Sequence, residues 1–278
     1  MPHAIVPINH RERQRIYDFL KSHESWHVML LDALEQLEHH NTKQRWYAEV
    51  SNSSIKGIIY KHESLMLFGY AHPPSTNSPL YHWIQHETPQ FITHGNRDVI
   101  ETILTNLPHG GRINCLEKAY FLVQSNQTEK QLARLYSPMK GITIRHATPL
   151  DFPLIQHLFQ ASEVESLIDQ KLIQTLIHRQ DLFLAVNTNQ PRAIMGTMMV
   201  LKKSPKYALL GGLYVDPHYR HNGIATSLAQ AVIRDCLRKG KKTCFYYHNE
   251  ALTPFYNKAQ YIKQGQWVTY SVTSNPVI

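Results

Sequence analysis

The stretch that most constrains this chain reads Gly211-Gly212-Leu213-Tyr214-Val215-Asp216-Pro217-His218-Tyr219-Arg220-His221-Asn222-Gly223-Ile224-Ala225-Thr226. An apolar run from Tyr207 ends at Asp-Pro, a short turn follows, and an Arg-x-x-Gly-x-Ala turn opens a helix over 222–239. In that helix Ile224, Leu228, Val232 and Cys236 recur every four residues, which makes one apolar face, and Gly240 stops it. Strand, turn and helix in this order set the unpaired N–H groups of a helix start, and the positive end of its dipole, at the turn. Such a turn suits a phosphate. Gly211-Gly212 inside the strand marks a bulge or a close approach.

Charge gathers beside this stretch. The net charge is +8. Between 202 and 242 stand Lys202, Lys203, Lys206, Arg220, Arg234, Arg238, Lys239, Lys241 and Lys242, against the two acids Asp216 and Asp235. One reading is an electrostatic funnel for a polyanionic ligand. Another is that the charges from Arg238 to Lys242 complement the negative end of the helix dipole. A third is nucleic-acid binding, but no nucleic-acid motif accompanies the charge, and nucleic acid is not the expected partner.

The 278 residues are enough for two domains, and 42% hydrophobic with 18% charged residues is the composition of a folded chain. No uncharged apolar run reaches the roughly 18 residues of a membrane span, so no membrane partner is expected. The first residues, Met1-Pro2-His3-Ala4-Ile5-Val6-Pro7, lack a basic region leading into an apolar core, so no secretory signal is expected. Cys115, Cys236 and Cys244 are odd in number and far apart, which fits a reducing, cytoplasmic compartment.

Periodicity predicts an α/β (α+β) chain. Helices are expected over 10–21 and 24–38, then strands over 46–50, 57–60, 65–70 and 81–85, a strand over 91–96, a helix over 97–107 and a strand over 119–123. The polar, Pro-containing stretch 125–140 reads as a domain boundary, giving 1–140 and 141–278. The second part opens with a strand over 142–145, a helix over 149–160, and a further helix that Ser162 caps with Glu165 three residues on. Strands follow over 181–186, 194–201 and 207–215, with a turn at Pro191-Arg192. After the helix over 222–239 come a strand over 243–247, a short helix over 251–258, a strand start over 261–263 and a last strand over 267–272. The two parts run through similar successions of elements, which points to two copies of one architecture.

From Tyr207 onward the chain resembles the GNAT superfamily of acyl-CoA-dependent N-acyltransferases. Arg220-His221-Asn222-Gly223-Ile224-Ala225 matches the family's [Gln/Arg]-x-x-Gly-x-[Gly/Ala] loop, and Leu213 to Tyr219 matches its lead-in. Asn249, Tyr256 and Tyr261 resemble its Asn…Tyr-x-x-x-Gly-Phe segment, with Gln260 in place of the glycine and Tyr261 in place of the phenylalanine. The resemblance covers roughly 142–275, and the whole chain resembles the bacterial two-lobed type, in which a degenerate N-terminal GNAT-like lobe precedes an intact one. It implies tandem mixed sheets flanked by helices.

The resemblance also implies roles. Backbone amides from His221 to Ala225, with Asn222, Gly223 and Ile224 between them, would cradle the pyrophosphate of coenzyme A, and Thr226 could add a hydroxyl. Arg220 either pairs with a phosphate or fixes the turn through backbone carbonyls. Leu213 and Val215, flanking Tyr214, would offer backbone to the pantetheine amides, and an N–H there would polarise the thioester carbonyl. Tyr256 is the candidate general acid for the leaving thiolate, against the plain reading of a packed tyrosine. Asn249 would bond the cofactor or nearby backbone. Glu163 and Glu165 border the acceptor region in the family. Either is a candidate base, although Glu165 also fits as a capping residue, and the base stays open.

The function so implied is an N-acetyltransferase that moves an acetyl or other acyl group from acetyl-CoA to a primary amine of a small molecule or peptide. Acetyl-CoA would serve as co-substrate without a metal, in a monomer or homodimer. A non-catalytic acyl-CoA-binding or sensor protein is the alternative. The N-terminal part lacks an Arg-x-x-Gly-x-Ala loop. His94-Gly95-Asn96-Arg97-Asp98 is read as its corresponding turn, where Asp98 would repel phosphate, so that lobe is expected not to bind cofactor. His23-Glu24-Ser25-Trp26-His27 matches the zinc pattern H-E-x-x-H, but among 18 histidines a chance match is the expected explanation.

Overall fold

The computed structural model describes residues 3–35, 43–87, 90–108, 112–125, 140–160, 169–250, 253, 256 and 261–273. The chain divides into two compact units, Met1–Val123 with Tyr246–Ile278, and Gln124–Phe245.

In chain order the first unit contains β1 (Ala4–Ile8), α1 (Arg13–Leu20), α2 (Val28–Glu35), β2 (Gln44–Ser51), β3 (Ser54–His62), β4 (Leu65–Gly69), α3 (Leu80–Glu87), β5 (Gln90–Asn96), α4 (Arg97–Thr105) and β6 (Arg112–Gln124). The second contains β7 (Ile142–His146), α5 (Phe152–Gln160), α6 (Gln170–His178), β8 (Leu182–Asn187), β9 (Gln190–Lys203), β10 (Tyr207–Val215), α7 (Ile224–Arg238) and the start of β11 (Lys242–Tyr247). The last strand, β12 (Tyr261–Thr273), lies in the first unit, antiparallel to β5, with Trp267 opposite Asn96 and Thr273 opposite Gln90. Strand order is β1-β2-β3-β4-β5-β12-β6 in the first unit and β7-β8-β9-β10-β11 in the second.

Both units run strand, helix, helix, three antiparallel strands, helix, strand. In each, the third of those strands pairs in parallel with the strand after the helix, Leu65 opposite Ile92 in one and Tyr207 opposite Lys242 in the other. The repeat suspected from element order is therefore present in the backbone.

Several sequence expectations are corrected. Residues 81–85 are helical, within α3, because Leu80, Tyr81, Ile84 and Gln85 bury one helical face and Ser78 Oγ accepts the Leu80 N–H at 3.1 Å. His82 and His86 consequently sit one turn apart on its exposed side. The second helix begins at Val28, after turns over 21–27, so H-E-x-x-H does not lie on one helix. Pro191-Arg192 belongs to β9, and the turn falls at 188–189, where Asn187 Oδ1 accepts the Asn189 N–H. Residues 261–273 form one strand. The turn at 94–98 is the end of β5 entering α4, with Asn96 as its N-cap accepting from Asp98 N at 2.9 Å. By element order the first unit's counterpart of the 216–223 turn is residues 70–79.

The second unit packs Ile155, Leu158, Phe159, Ile173, Leu176 and Ile177 of α5 and α6 against Leu182, Leu184 and Val186 of β8. From α7, Leu228, Val232 and Cys236 are buried at the four-residue spacing read from the sequence. A bonded pair fixes the entry to α5. Arg145 reaches Asp151 with two N–H groups, each at 2.7 Å, and Asp151 also accepts from Thr148 N and Oγ1 at 2.8 and 2.7 Å. Arg145 above all holds the Asp151 carboxyl down, from its usual 3.8 to about 2, despite its burial. A depressed folded value stabilises above the unfolded pKa and is lost as pH falls through the window from about 4 to about 2. Asp151→Asn should cost about 2–3 kcal/mol at neutral pH. It should also flatten the acid limb of stability, which thermal melts across that pH window will read.

Candidate functional site

The site is built where β10 leaves its neighbours. Opposite β9, Gly211 faces Met199 and Tyr214 faces Thr197, so Gly212 and Leu213 together face one residue, a bulge. Gly212 has φ +59°, which favours glycine, and a side chain there would also press on Met199 Sδ at 2.6 Å. Thr197 Oγ1 donates to the Gly212 carbonyl at 3.0 Å. On the other side, β10 pairs with β11 only over Tyr207, Ala208 and Leu209. From Leu210 to Val215 it runs on with no β11 partner among the described residues. Two strands that start parallel and part in this way leave an edge of backbone polar groups open to a ligand.

The turn is held from within. Asp216 N–H bonds Met195 O at 3.0 Å, and its carboxylate accepts from His218 N and the His218 ring, both at 2.9 Å. Arg220 Nε donates to Val215 O at 3.0 Å, and its guanidinium lies 5.8 Å from the Tyr214 ring centre. Of the two roles open to Arg220, fixing the turn is the one this geometry carries. His221 at φ +63° and Gly223 at φ +75° turn the chain through the left-handed region on either side of Asn222. The first rung of α7 runs from Ser227 N to Gly223 O at 3.0 Å, so the N–H groups of Ile224, Ala225 and Thr226 precede the ladder. Ile224 is buried and anchors the turn, while His221, Asn222, Gly223 and Thr226 are exposed. An exposed turn with unladdered N–H groups at the start of a 15-residue helix fits a phosphate group.

The basic cluster is partly spent on the fold. Lys203 and Arg179 both pair with the buried Asp181, Lys239 pairs with Asp235, and Lys241 donates to Ser204 O and Pro205 O. These cations are tied into the fold by ion pairs and loop carbonyls, a role that is neither the funnel nor the helix-dipole reading.

Asn249 is exposed. Tyr256 is half-buried, its ring 4.8 Å from that of Tyr247 and 6.4 Å from that of Tyr261. Burial, with Tyr247 adding, pushes its phenol up to about 12, so it keeps its proton at neutral pH. Glu163 and Glu165, like the Ser162 cap and most of 251–258, lie outside the described residues. Burial raises the Cys236 and Cys244 thiols, and both pack. His27 is buried, its Nδ1 2.9 Å from Leu20 O, and burial pushes it down to about 4. Among the described residues no cluster of three His, Cys, Asp or Glu side chains is placed to hold a metal.

The residue sequence reading missed is Thr197. Within an apolar strand a threonine reads as a β-branched filler, and no local signal ties it to a glycine fifteen residues on.

Residues 148–261 match the model of the acetyltransferase (GNAT) family. No curated protein matches the sequence. Among solved structures, a Drosophila protein has a TM-score of 0.66 at 12% identity, covering 99% of this chain and 100% of its own. A tandem GNAT protein from the clavulanic acid biosynthesis pathway has 0.64 at 13%, covering 99% of each chain. A GCN5-related N-acetyltransferase from Sphaerobacter thermophilus has 0.63 at 17%, covering 99% and 96%. At these identities the likeness is one of fold.

Proposed function

We propose that this chain, whose residues 148–261 match the acetyltransferase (GNAT) family model and whose fold is similar to that of a tandem GNAT protein, is an acetyl-CoA-dependent N-acetyltransferase acting on a primary amine of a small molecule or peptide. The observation that carries the reading is the parting of β10 from β11 beside the 216–223 turn. That arrangement sets backbone with no β11 partner among the described residues next to the unladdered N–H groups at the start of α7.

In this reading His221 to Thr226 hold the pyrophosphate, and the Leu213–Val215 backbone binds the pantetheine. Amide formation joins the amine nitrogen to the acyl carbon, breaks the carbon–sulfur bond and releases a thiol. The Leu213 N–H steadies the oxyanion. Tyr256, assigned by its place in the 249–261 segment and by a phenol that stays protonated, supplies a proton to the sulfur as charge gathers there. The amine gives up a proton to a base that we leave unassigned between Glu163, Glu165 and water.

We also propose lobes of 1–140 and 141–278, with the donor taken by the second alone, in a cytoplasmic monomer or homodimer. Two features of the first unit support that choice. Its 70–79 segment carries Pro73, Pro74 and Pro79, which have no N–H to give a phosphate. The buried Glu49 accepts from Tyr70 OH at 2.6 Å and Ser78 Oγ at 2.7 Å, which sets a carboxylate at the base of that segment.

The test is a screen of amine acceptors with acetyl-CoA, reading free coenzyme A. Release that depends on the amine supports transfer. Calorimetric binding of acetyl-CoA with no release across a broad panel would instead favour the binding-only protein, to which Gln260 in place of the family glycine gives room. Salt-dependent binding of DNA or RNA that survives saturating coenzyme A would favour a nucleic-acid partner.

A further inference from the structure

Thr197 is fully buried in β9, a strand whose neighbours here are almost all apolar. Its hydroxyl donates to the carbonyl of Gly212, the left-handed residue at the centre of the bulge. Two facts then fix the next amide. In a trans peptide the C=O and the following N–H point in opposite directions, and this chain has no cis peptide among its described residues. With the Gly212 carbonyl drawn to Thr197, the Leu213 N–H is turned away from β9. On that side lies the edge of β10 that has no β11 partner after Leu209 among the described residues. The neighbouring glycine reinforces this approach, since a side chain at Gly196 would meet Tyr214 O at 2.6 Å.

We infer that Thr197 is a positioning residue for acyl transfer, whose hydroxyl holds the Gly212–Leu213 peptide so that the Leu213 N–H is presented to the thioester carbonyl. The inference rests on the acetyl-CoA reading of the site. Without the hydroxyl the Gly212 carbonyl loses this partner and the peptide can rotate through Gly212 ψ and Leu213 φ, the first of which a glycine leaves unusually free. The donor would then be present but misdirected.

The experiment compares the full chain carrying Thr197→Val, which keeps the branched shape without the hydroxyl, and Thr197→Ser, which keeps the hydroxyl. Thermal melting confirms that each is folded. Binding of acetyl-CoA and of coenzyme A is measured by calorimetry. The carbonyl stretch of acetyl-CoA labelled with ¹³C at the carbonyl is recorded bound and free. Thr197→Val should bind coenzyme A nearly as the parent does, because the 216–226 turn and the Val215 backbone are untouched and the Leu213 N–H serves the thioester carbonyl, which coenzyme A lacks. It should lose the downward shift of the carbonyl band, and kcat should fall about 10- to 100-fold with KM for acetyl-CoA little changed. Thr197→Ser should recover most of both. If Thr197→Val keeps the band shift and kcat, or folded Thr197→Ser fails as Thr197→Val does, the inference is wrong while the acetyl-CoA reading stands. If the parent chain does not bind acetyl-CoA, that reading falls and the inference with it.

Discussion

Gly223→Val should abolish binding of acetyl-CoA, with a loss on the order of 100-fold or more in calorimetric titration. The residue sits at φ +75°, immediately before the first residue of α7, where an L side chain is strained and a β-branched one more so. Relaxing that strain means moving φ, and moving φ redirects the N–H groups of Ile224, Ala225 and Thr226 on which the proposed cradle depends. The chain supplies its own control. Gly240, past the other end of the same helix, has φ +72°, and a side chain there would meet nothing within 4 Å. Gly240→Val carries the same backbone strain without touching the turn. It should lower the melting temperature and leave binding intact. Equal loss of binding in the two variants would show that Gly223 acts through helix stability and not through the cradle. Unchanged binding in Gly223→Val would remove the turn from the site altogether.

What was legible in the sequence was the part written in local chemistry. The 222–239 helix, its buried Ile224, Leu228, Val232 and Cys236, and the turn before it follow from spacing and from glycine at a left-handed position. The misreadings share a cause. Residues 81–85, Tyr-His-Trp-Ile-Gln, are rich in the aromatic and β-branched groups of a strand, and the Ser78 cap that favours a helix lies outside that window. The sequence reading sets the first unit's counterpart of the 216–223 turn at 94–98, where a strand enters a helix. The chain's own order places it at 70–79, a proline-bearing segment with no such signature. Thr197 was beyond reach for a different reason. Its partner is set by which strands pair and where the register slips, and neither is encoded within a window of sequence.

Tyr256→Phe should lower kcat about 100-fold while leaving the affinity for acetyl-CoA close to that of the parent. The ring contacts with Tyr247 and Tyr261 survive the change, so a folded protein is expected. A phenol held up near 12 by burial is a poor acid toward a free thiolate, whose own proton is held at about 8.5. In the proposed role it would therefore act as a hydrogen-bond donor that strengthens as negative charge gathers on sulfur, handing over the proton only late. That places the expected effect at the lower end of the range for general acids, roughly 10²-fold. The same value fixes the pH dependence. A raised phenol pKa keeps the acid protonated from neutral pH up to about 12, so ionisation of Tyr256 contributes no alkaline fall below that value. Any limb at lower pH belongs to the amine or its base, and Tyr256→Phe should reproduce that limb at reduced height. Unchanged turnover in a folded Tyr256→Phe would end the assignment. A variant that lost affinity and turnover together would place the hydroxyl in ground-state binding instead.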